Sequence, residues 1–335
     1  MAPSQGSGEA VLVAGGAGYI GSHTAKALKA QGYRPIVLDD LSMGHDWAAK
    51  FGPFVQANMG DADAVRAAIR EHGVSSAILF AASAYVGESV ANPRKYYQNN
   101  VTNMEVFLGA LVDEGVKAVI FSSSCATYGI PQAMPLVESH PQLPISPYGE
   151  TKLVGERMLH WFDGAYGLKH VALRYFNASG ADPEGEIGEV HDPETHLIPL
   201  VMGAALGSRP PITVFGTDYP TPDGTAVRDY IHVADLADAH VRALRHLLDG
   251  GESLRLNVGT GNGYSVKEII SAVERETGRE VPRTYGPRRE GDPPELYADP
   301  SAVRKALGWE PKHSDLAQIV QTAWKWELRR QELGL

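Results

Sequence analysis

The chain has 335 residues, of which 43% are hydrophobic and 21% charged, and its formal net charge is -10. These proportions are typical of a globular protein and exclude a largely disordered chain. The acidic balance argues against a nucleic-acid partner, which would call for a basic face, and no apolar run approaches the ~18 residues of a membrane-spanning helix.

The N-terminal half alternates short apolar runs with amphipathic stretches, a pattern that predicts a parallel sheet wrapped by helices. In chain order it predicts a strand over 10–14, a helix over 21–31, a strand over 35–38, a helix over 61–72, a strand over 77–81, a long helix from about 93 to 114, a strand over 117–122, a helix beginning near 147 and a strand over 170–174.

The composition changes beyond Asn177. Residues 178–230 are rich in Gly, Pro and Asp, which favours loops and short elements. A strand over 254–259 is expected to return to the main sheet, and helices are expected over 266–277 and 315–332. We therefore predict a doubly wound, Rossmann-type α/β domain that binds a dinucleotide, with a smaller discontinuous α/β cap. The predicted boundaries are 9–178 plus 229–260 for the first domain and 179–228 plus 261–335 for the cap.

The number of cysteines indicates the cellular compartment in which the protein is expected. Cys125 is the only cysteine, so the chain has no internal disulfide and no thiolate metal cluster. This favours a reducing, cytoplasmic location. The first residues, MAPSQGSGE, lack the charged start and apolar stretch of a signal peptide, and we expect them to form a loose arm.

A glycine-rich turn follows the first predicted strand. Gly15, Gly18 and Gly21 in VLVAGGAGYIGSH permit a tight turn and let the backbone approach a pyrophosphate at the positive end of a helix. Asp39 ends the second strand, where a carboxylate holds the adenosine ribose and repels a 2′-phosphate. The segment predicts NAD rather than NADP as the cofactor. The alternative is a structural turn with a helix cap.

Two further motifs suggest acid–base chemistry. SSSCATYG follows an apolar strand, and PYGETK opens a helix that places Tyr148 and Lys152 on one face. A phenol is a poor base at neutral pH, but a nearby ammonium and a positive nicotinamide ring would stabilise the phenolate. Ser124 could align the reacting hydroxyl. The alternative is a packed tyrosine and a solvated lysine. Cys125 is interpreted as an apolar filler rather than a reactive thiol, since no histidine or acid adjoins it.

These motifs, with FAASAYVGESV, YYQNNV, LRYFNASG, GTAVRDYIHVADLADAH and RREGD, resemble in order those of the UDP-glucose/UDP-galactose 4-epimerase family of extended short-chain dehydrogenases/reductases. The resemblance runs from about Ala10 to Trp326. SSSCATYG and TVFGTDYPTPDGT look like the branch that contains UDP-arabinose (UDP-xylose) 4-epimerases. The resemblance implies an isomerase of galactose metabolism that is a homodimer and holds NAD without exchanging it.

The resemblance also implies roles for individual residues. Ser124 and Tyr148 match the catalytic pair, with Lys152 in support. The positions that match cofactor contacts are Gly15, Gly18, Tyr19, Ile20, Gly21, Asp39, Asn58, Met59, Phe80, Ala81, Ala82, Asn99, Ser122, Tyr148, Lys152 and Tyr175. Asn58 stands where the family usually has an acid, and its side-chain carbonyl could accept a hydrogen bond from the adenine amine.

A second set of positions matches contacts to the UDP-sugar. They are Ser124, Tyr148, Asn177, His196, Leu197, Phe215, Arg228, Tyr230, Arg289, Asp292 and Leu296, and no metal ligand is implied. Guanidinium groups at Arg228 and Arg289 suit a diphosphate, and Asp292 could accept from the uridine ribose.

Three positions depart from the family pattern. Ala84 stands where many members carry a lysine, His196 replaces a common asparagine, and Leu296 replaces a tyrosine that restricts some members to non-acetylated sugars. Because of these departures, the resemblance does not determine which UDP-sugar is the substrate. The implied reaction interconverts UDP-glucose and UDP-galactose through a 4-keto intermediate, and the alternatives are UDP-xylose/UDP-arabinose or UDP-GlcNAc 4-epimerisation.

Three alternative functions use the same scaffold. A 4,6-dehydratase or decarboxylase needs an acid or base in the two positions after the catalytic hydroxyl, where this chain has Cys125 and Ala126. An NADPH-dependent epimerase/reductase is disfavoured by Asp39. A non-catalytic NAD sensor would tend to lose Tyr148 or Lys152, and both are present.

Overall fold

The computed structural model describes residues 8–289 and 291–335, so the predicted N-terminal arm lies almost entirely outside the described residues. The first half of the chain forms β1 (Ala10–Ala14), α1 (Tyr19–Ala30), β2 (Arg34–Asp39), β3 (Phe54–Gln56), α2 (Ala62–His72), β4 (Val74–Leu79), α3 (Val86–Ala91), α4 (Pro93–Tyr97), α5 (Asn103–Asp113), β5 (Ala118–Ser124) and α6 (Pro147–Tyr166). A π-helical segment, Gln98–Thr102, joins α4 to α5.

The second half continues with β6 (Lys169–Tyr175), β7 (Asn177–Ser179), α7 (Leu197–Leu206), β8 (Ile212–Phe215), β9 (Val227–Arg228), β10 (Tyr230–His232), α8 (Val233–Leu248), β11 (Leu254–Val258), β12 (Tyr264–Ser265), α9 (Val266–Thr277), β13 (Arg283–Gly286), β14 (Glu295–Leu296), α10 (Ser301–Leu307) and α11 (Leu316–Leu333). Within the described residues, none of these helices is both long and apolar enough to cross a membrane.

The elements pack into two units. Unit 1 comprises Met1–Gly129, Pro141–Tyr175 and Ala237–Leu256, and unit 2 comprises Ile130–His140, Phe176–Leu236 and Asn257–Leu335. The predicted domain boundaries placed 229–260 with the first domain. By packing, residues 130–140, 176–178, 229–236 and 257–260, all predicted to belong to the first domain, group with unit 2 instead. The assignment of NAD to the first domain and of the UDP-sugar to the cap stays a prediction.

Unit 1 is built on a seven-stranded sheet in the order β11-β6-β5-β4-β1-β2-β3. The pairings from β6 across to β3 are parallel. β1 is followed in sequence by its neighbour β2 on one side, whereas β4 lies on its other side. The strand order therefore reverses between β1 and β4, the point at which doubly wound sheets bind ligands beyond their carboxyl ends. The predicted Rossmann-type α/β fold is confirmed.

Unit 2 has a separate hydrophobic core formed by α7, α9 and α11 with β8. Short strands surround it: β7 pairs with β10, β8 pairs with β13, and β9 lies between β12 and β14. The β9–β14 pairing is parallel and sets Leu296 opposite Arg228. The β7–β10 pairing is also parallel and sets Asn177 opposite Tyr230. These short pairings bring together residues that are far apart in sequence.

Candidate active site

The glycine turn connects β1 to α1, and Gly18 caps that helix. Gly15 has φ +79, and a Cβ atom there would lie 2.5 Å from the backbone nitrogen of Ala81. A Cβ atom on Gly21 would overlap the carbonyl oxygen of Gly15. A side chain at Gly15 would therefore force the turn away from the loop after β4, and one at Gly21 would force α1 away from the turn. The glycines bring the backbone amides at the start of α1 to the point where the strand order reverses, which suits a pyrophosphate.

Asp39 ends β2 and is 7% exposed. Its carboxylate accepts hydrogen bonds from the backbone amides of Ala17 at 3.0 Å and Leu41 at 2.9 Å. Burial raises the pKa of Asp39, and these two hydrogen bonds oppose the rise without cancelling it. The carboxylate thus ties the glycine turn to the loop after β2, where the sequence predicts contact with the adenosine ribose.

Asn58 has more partners than the sequence suggests. Its Oδ1 accepts from the Gly60 amide at 2.8 Å and from Asn103 Nδ2 at 3.1 Å, and its Nδ2 donates to Asp40 Oδ2 at 2.6 Å. Two donors already occupy the carbonyl that was expected to receive the adenine amine. The nearest acid to that position is Asp40, whose pKa is lowered: burial would raise it, but hydrogen bonds from Ser42 and Asn58 outweigh burial.

The loop after β4 carries Phe80, Ala81 and Ala82, all partly exposed. Backbone amides of Phe80 and Ala81 donate to the Ala14 carbonyl at 2.8 and 3.0 Å, so this loop is fixed beside the glycine turn. Asn99 donates to Ser83 Oγ at 3.3 Å. The structure thus gathers these predicted cofactor positions at one edge of the sheet.

Asn100, which the sequence analysis did not single out, is buried beneath that edge. Its Oδ1 accepts from the Ser83 amide at 2.8 Å, and its Nδ2 donates to the Ser83 carbonyl at 2.9 Å and to Thr151 Oγ1 at 3.1 Å. Asn100 thereby connects the loop after β4 to α6. The only signal in the sequence was the polar run YYQNNV inside an otherwise amphipathic helix.

Ser124, Tyr148 and Lys152 come together at the carboxyl end of β5. Ser124 is the last residue of β5, Tyr148 lies in the first turn of α6, and Lys152 follows one turn later. A hydrogen bond joins the Ser124 hydroxyl to the Tyr148 phenol. Lys152 is 3% exposed, and its Nζ donates to the Ser122 carbonyl at 2.7 Å and lies 5.8 Å from the centre of the Tyr148 ring.

The charges of this trio are governed by burial. Burial raises the pKa of Tyr148 to about 12, although the hydrogen bond from Ser124 opposes it. Burial also lowers the pKa of Lys152 to about 7. The sequence predicted that the lysine, together with a positive nicotinamide ring, would lower the pKa of the phenol. The protein groups alone do not do so, because burial of the phenol raises its pKa and burial of Lys152 disfavours the ammonium charge that would lower it.

A buried network lies beneath the trio. The Ser122 hydroxyl bonds the Tyr175 hydroxyl. The neighbouring Ser123 hydroxyl donates to Glu156 at 2.5 Å, and Arg174 on β6 binds both carboxylate oxygens of Glu156, at 2.8 and 2.6 Å. Glu156 is one turn beyond Lys152 on α6. Glu156 therefore fastens α6 to β5 through Ser123 and to β6 through Arg174.

In unit 2, the predicted substrate residues form two groups. The first centres on Arg228, which forms an ion pair with Asp292 and donates to the Val227 carbonyl at 2.7 Å. Its strand is held by the buried Asp229, whose carboxylate accepts from Thr260 at 2.8 Å. Asn177, Tyr230 and Leu296 join this group through the β7–β10 and β14–β9 pairings.

The second group lines a cavity of about 310 Å³. Leu197, Phe215 and Arg289 all face it, and the Arg289 guanidinium lies 4.1 Å from the centre of the Phe215 ring. Arg209, which the sequence did not suggest, also lines this cavity. An apolar wall beside stacked guanidinium and aromatic groups suits a flat polar base with an attached anion.

His196 caps the N-terminus of α7, between two residues that line the cavity. Glu189, His191, Glu194 and His196 place their nitrogen and oxygen atoms within 4.8 Å of one another. Both histidines direct Nδ1 to the same oxygen of Glu189. The carboxylate of Glu189 thus joins both histidines in one cluster of close contacts.

Comparisons with known proteins agree with this arrangement. A model of the NAD dependent epimerase/dehydratase family matches residues 11–259. UDP-glucose 4-epimerase of Rhizobium meliloti is 51% identical over 324 residues, which cover 97% of this chain and 98% of the relative. UDP-arabinose 4-epimerase 1 of Arabidopsis thaliana is 45% identical and covers 97% of this chain and 81% of the relative. The crystal structure of the Brucella ovis UDP-glucose 4-epimerase in complex with NAD superposes with a TM-score of 0.93 at 53% identity, covering 94% of this chain and 97% of that one.

Proposed function

This chain belongs to the NAD dependent epimerase/dehydratase family, and we propose that it is an NAD-dependent UDP-sugar 4-epimerase that interconverts UDP-glucose and UDP-galactose. The arrangement of Ser124, Tyr148 and Lys152 at the carboxyl end of β5 carries the proposal. An NAD-binding epimerase structure that shares 53% of its sequence with this chain supports it.

The residues present fit the cofactor. Side chains at Gly15 and Gly21 would fill the cradle beside α1, and Asp39 presents a carboxylate at the end of β2. When bound, NAD supplies a reversible hydride acceptor and the positive charge of its oxidised ring. That positive charge opposes the burial that keeps the pKa of Tyr148 near 12.

Each residue of the trio has a distinct role. Tyr148 takes the proton from the hydroxyl on sugar carbon 4 as that carbon becomes a ketone, and returns a proton when the ketone is reduced on its opposite face. Ser124 is hydrogen-bonded to the Tyr148 phenol. From that position it aligns the sugar hydroxyl that Tyr148 deprotonates. Lys152 fixes the tyrosine and β5 through the Ser122 carbonyl.

The groups in unit 2 hold the nucleotide end of the substrate. The cavity lined by Leu197, Phe215 and Arg289 accepts the uracil, and Arg228 with Asp292 binds the diphosphate and ribose. The sugar itself makes fewer contacts and can turn to present either face. Strong anchoring of the UDP portion keeps the 4-keto intermediate bound while the sugar rotates.

A pentose substrate is the second candidate, because a UDP-arabinose 4-epimerase is 45% identical over nearly the whole chain. The test is a parallel assay of UDP-glucose, UDP-galactose, UDP-xylose, UDP-arabinose and UDP-GlcNAc with the purified protein, after extraction and quantification of its bound nucleotide. We expect NAD(H) in the extract and fastest turnover of UDP-glucose and UDP-galactose. NADP(H) in the extract would contradict the role of Asp39, and bound NAD without turnover of any sugar would identify a sensor.

We further propose a homodimer formed through unit 1. Large apolar side chains are exposed on α3, at the end of α4 and on α6: Val90 is 63% exposed, Tyr97 43% and Trp161 72%. α6 packs beside α3 and α4, so these side chains lie on neighbouring helices. Exposed apolar surface of this kind commonly marks an interface. A cytoplasmic location, inferred from the single cysteine, completes the proposal, and cell fractionation tests it.

A further inference from the structure

His196 stands where a cavity, a helix and a charge cluster meet. It caps α7, and its neighbours Thr195 and Leu197 both line the 310 Å³ cavity with Arg209 and Arg289. Its side chain is 47% exposed. The N-terminus of a helix carries partial positive charge and attracts anions. A cation at this position would reinforce that charge beside two guanidinium groups.

Glu189 controls the orientation of His196. Its carboxylate side chain is 6% exposed, and the same oxygen contacts Nδ1 of His196 and, at 3.0 Å, Nδ1 of His191. The Glu189 backbone is fixed as well, because Trp326 on α11 donates to its carbonyl at 3.0 Å. With Nδ1 directed to Glu189, the Nε2 edge of the His196 ring is the one available for another partner.

The surrounding charges favour the protonated ring. Burial alone would lower the pKa of His196, but the charge and hydrogen bond of Glu189 outweigh it and the pKa is raised. Glu194 adds to the rise, whereas His191 opposes it. α7 itself contributes no charged side chain, and on α11 Glu327 is paired with Arg330. Since the pKa is raised, the positive charge is fully present below the ordinary value and is lost as pH rises through the raised one.

We propose that Glu189 holds His196 as an imidazolium that anchors the diphosphate of the UDP-sugar, so that substrate affinity falls as pH rises and His196 is neutralised. Glu189 is then a positioning residue that acts through His196. This inference rests on the proposed function, because it assumes that the cavity receives a UDP-sugar. It explains why two acids and two histidines are grouped beside a binding cavity.

The test measures UDP-glucose binding by calorimetry from pH 6 to 9, with the purified NAD-containing protein. Tyr148→Phe in the background slows turnover by about 10² to 10⁴ and removes the titration of that phenol. UDP-glucose is the probe because both of its phosphates are esterified, whereas a terminal phosphate titrates with a pKa near 6. We expect affinity to fall roughly 10-fold across the range, as for the loss of one charge-assisted hydrogen bond. Uridine, which has no diphosphate, should bind with a flat pH profile.

Three variants test the direction in which the pH dependence of UDP-glucose affinity should change. His196→Asn should remove the pH dependence and bind throughout at the weaker, high-pH level. Glu189→Gln should move the fall in affinity down towards pH ~6.5, the ordinary pKa of histidine. His191→Gln should move it up, because a positive neighbour is lost. His72→Asn, at the end of α2 in unit 1, is the matched control and should leave the profile unchanged.

An unchanged profile in His196→Asn would overturn the role of His196. If Glu189→Gln does not fold, the upward shift in His191→Gln still decides the matter, and a downward or absent shift there contradicts the inference. Failure of the parent protein to bind UDP-glucose at any pH would count against the proposed function itself.

Discussion

At the scale of single residues, burial decides the charges in the catalytic trio. Burial around Tyr148 raises the pKa of its phenol, and Lys152 donates a hydrogen bond to the Ser122 carbonyl. The sequence could predict which residues would meet, because spacing on a helix determines a shared face. It could not predict the hydrogen bonds of Asn58, since its partners Asp40 and Asn103 are 18 and 45 positions away.

We expect Tyr148→Phe to lower turnover of UDP-galactose by about 10² to 10⁴, the usual contribution of a general acid–base group. The phenyl ring keeps the packing, so the affinity for UDP should stay within about twofold of that of the parent. A coupled assay measures turnover, and calorimetry measures binding. Tyr166→Phe, an exposed tyrosine at the end of the same helix, is the control and should retain full activity. Turnover near that of the parent in Tyr148→Phe would assign the proton transfer to another group.

Leu296 tests how the pocket limits the sugar. It is opposite Arg228 in the β14–β9 pairing, so a side chain here lies next to the residue proposed to hold the diphosphate. Leu296→Tyr places a larger ring at this position, and a badly accommodated group costs about 1–3 kcal/mol in a tight pocket. We expect the parent to epimerise UDP-GlcNAc measurably but more slowly than UDP-galactose. The variant should lose the UDP-GlcNAc activity and retain the UDP-galactose activity, measured with both substrates side by side. Equal losses on both would show that Leu296 supports the strand pairing instead.

At the scale of elements, α6 carries two of the three proposed catalytic residues, and its position depends on one buried ion pair. The predicted start of α6 at Pro147 is confirmed because Ser146 and the proline at the helix start are strong local signals. α8 was not predicted, although VADLADAHVRALRHLL has apolar residues at helical spacing. α7 was not predicted either, because the loops around it dominate the local composition.

Glu156→Gln should destabilise the protein by about 3–5 kcal/mol, because it leaves the Arg174 guanidinium buried without its carboxylate. Denaturant unfolding measures this loss. Since Glu156 seats the helix that carries Tyr148 and Lys152, kcat should also fall, with KM for UDP-galactose less affected. Glu150→Gln, in the first turn of the same helix, is the matched control and should change stability by less than about 0.5 kcal/mol. Equal stability of the two variants would show that the ion pair contributes nothing.

At the scale of the whole molecule, the family resemblance predicted groupings of distant residues that the local sequence patterns did not predict. Periodicity gave the parallel sheet of unit 1, because each strand and helix there is contiguous in sequence. Unit 2 was beyond such reasoning: β9 and β14 have two residues each and are paired across more than sixty positions. The grouping of Arg228, Asp292 and Leu296 was therefore implied only by the resemblance, and short pairings of this kind carry no periodic signal.

The proposed homodimer can be tested through the exposed residues of unit 1. Trp161→Glu puts a charge on the most exposed of the large apolar side chains on α6, and burying an unpaired charge at an interface costs several kcal/mol. We expect light scattering after gel filtration to show twice the mass of one chain for the parent and the mass of one chain for the variant. Tyr285→Glu, which alters a 59% exposed aromatic residue of unit 2, is the control and should remain dimeric. Both units keep their own cores in either variant, so UDP binding should persist in the monomer. A dimeric Trp161→Glu variant, or a monomeric parent, would show that α6 does not form the interface.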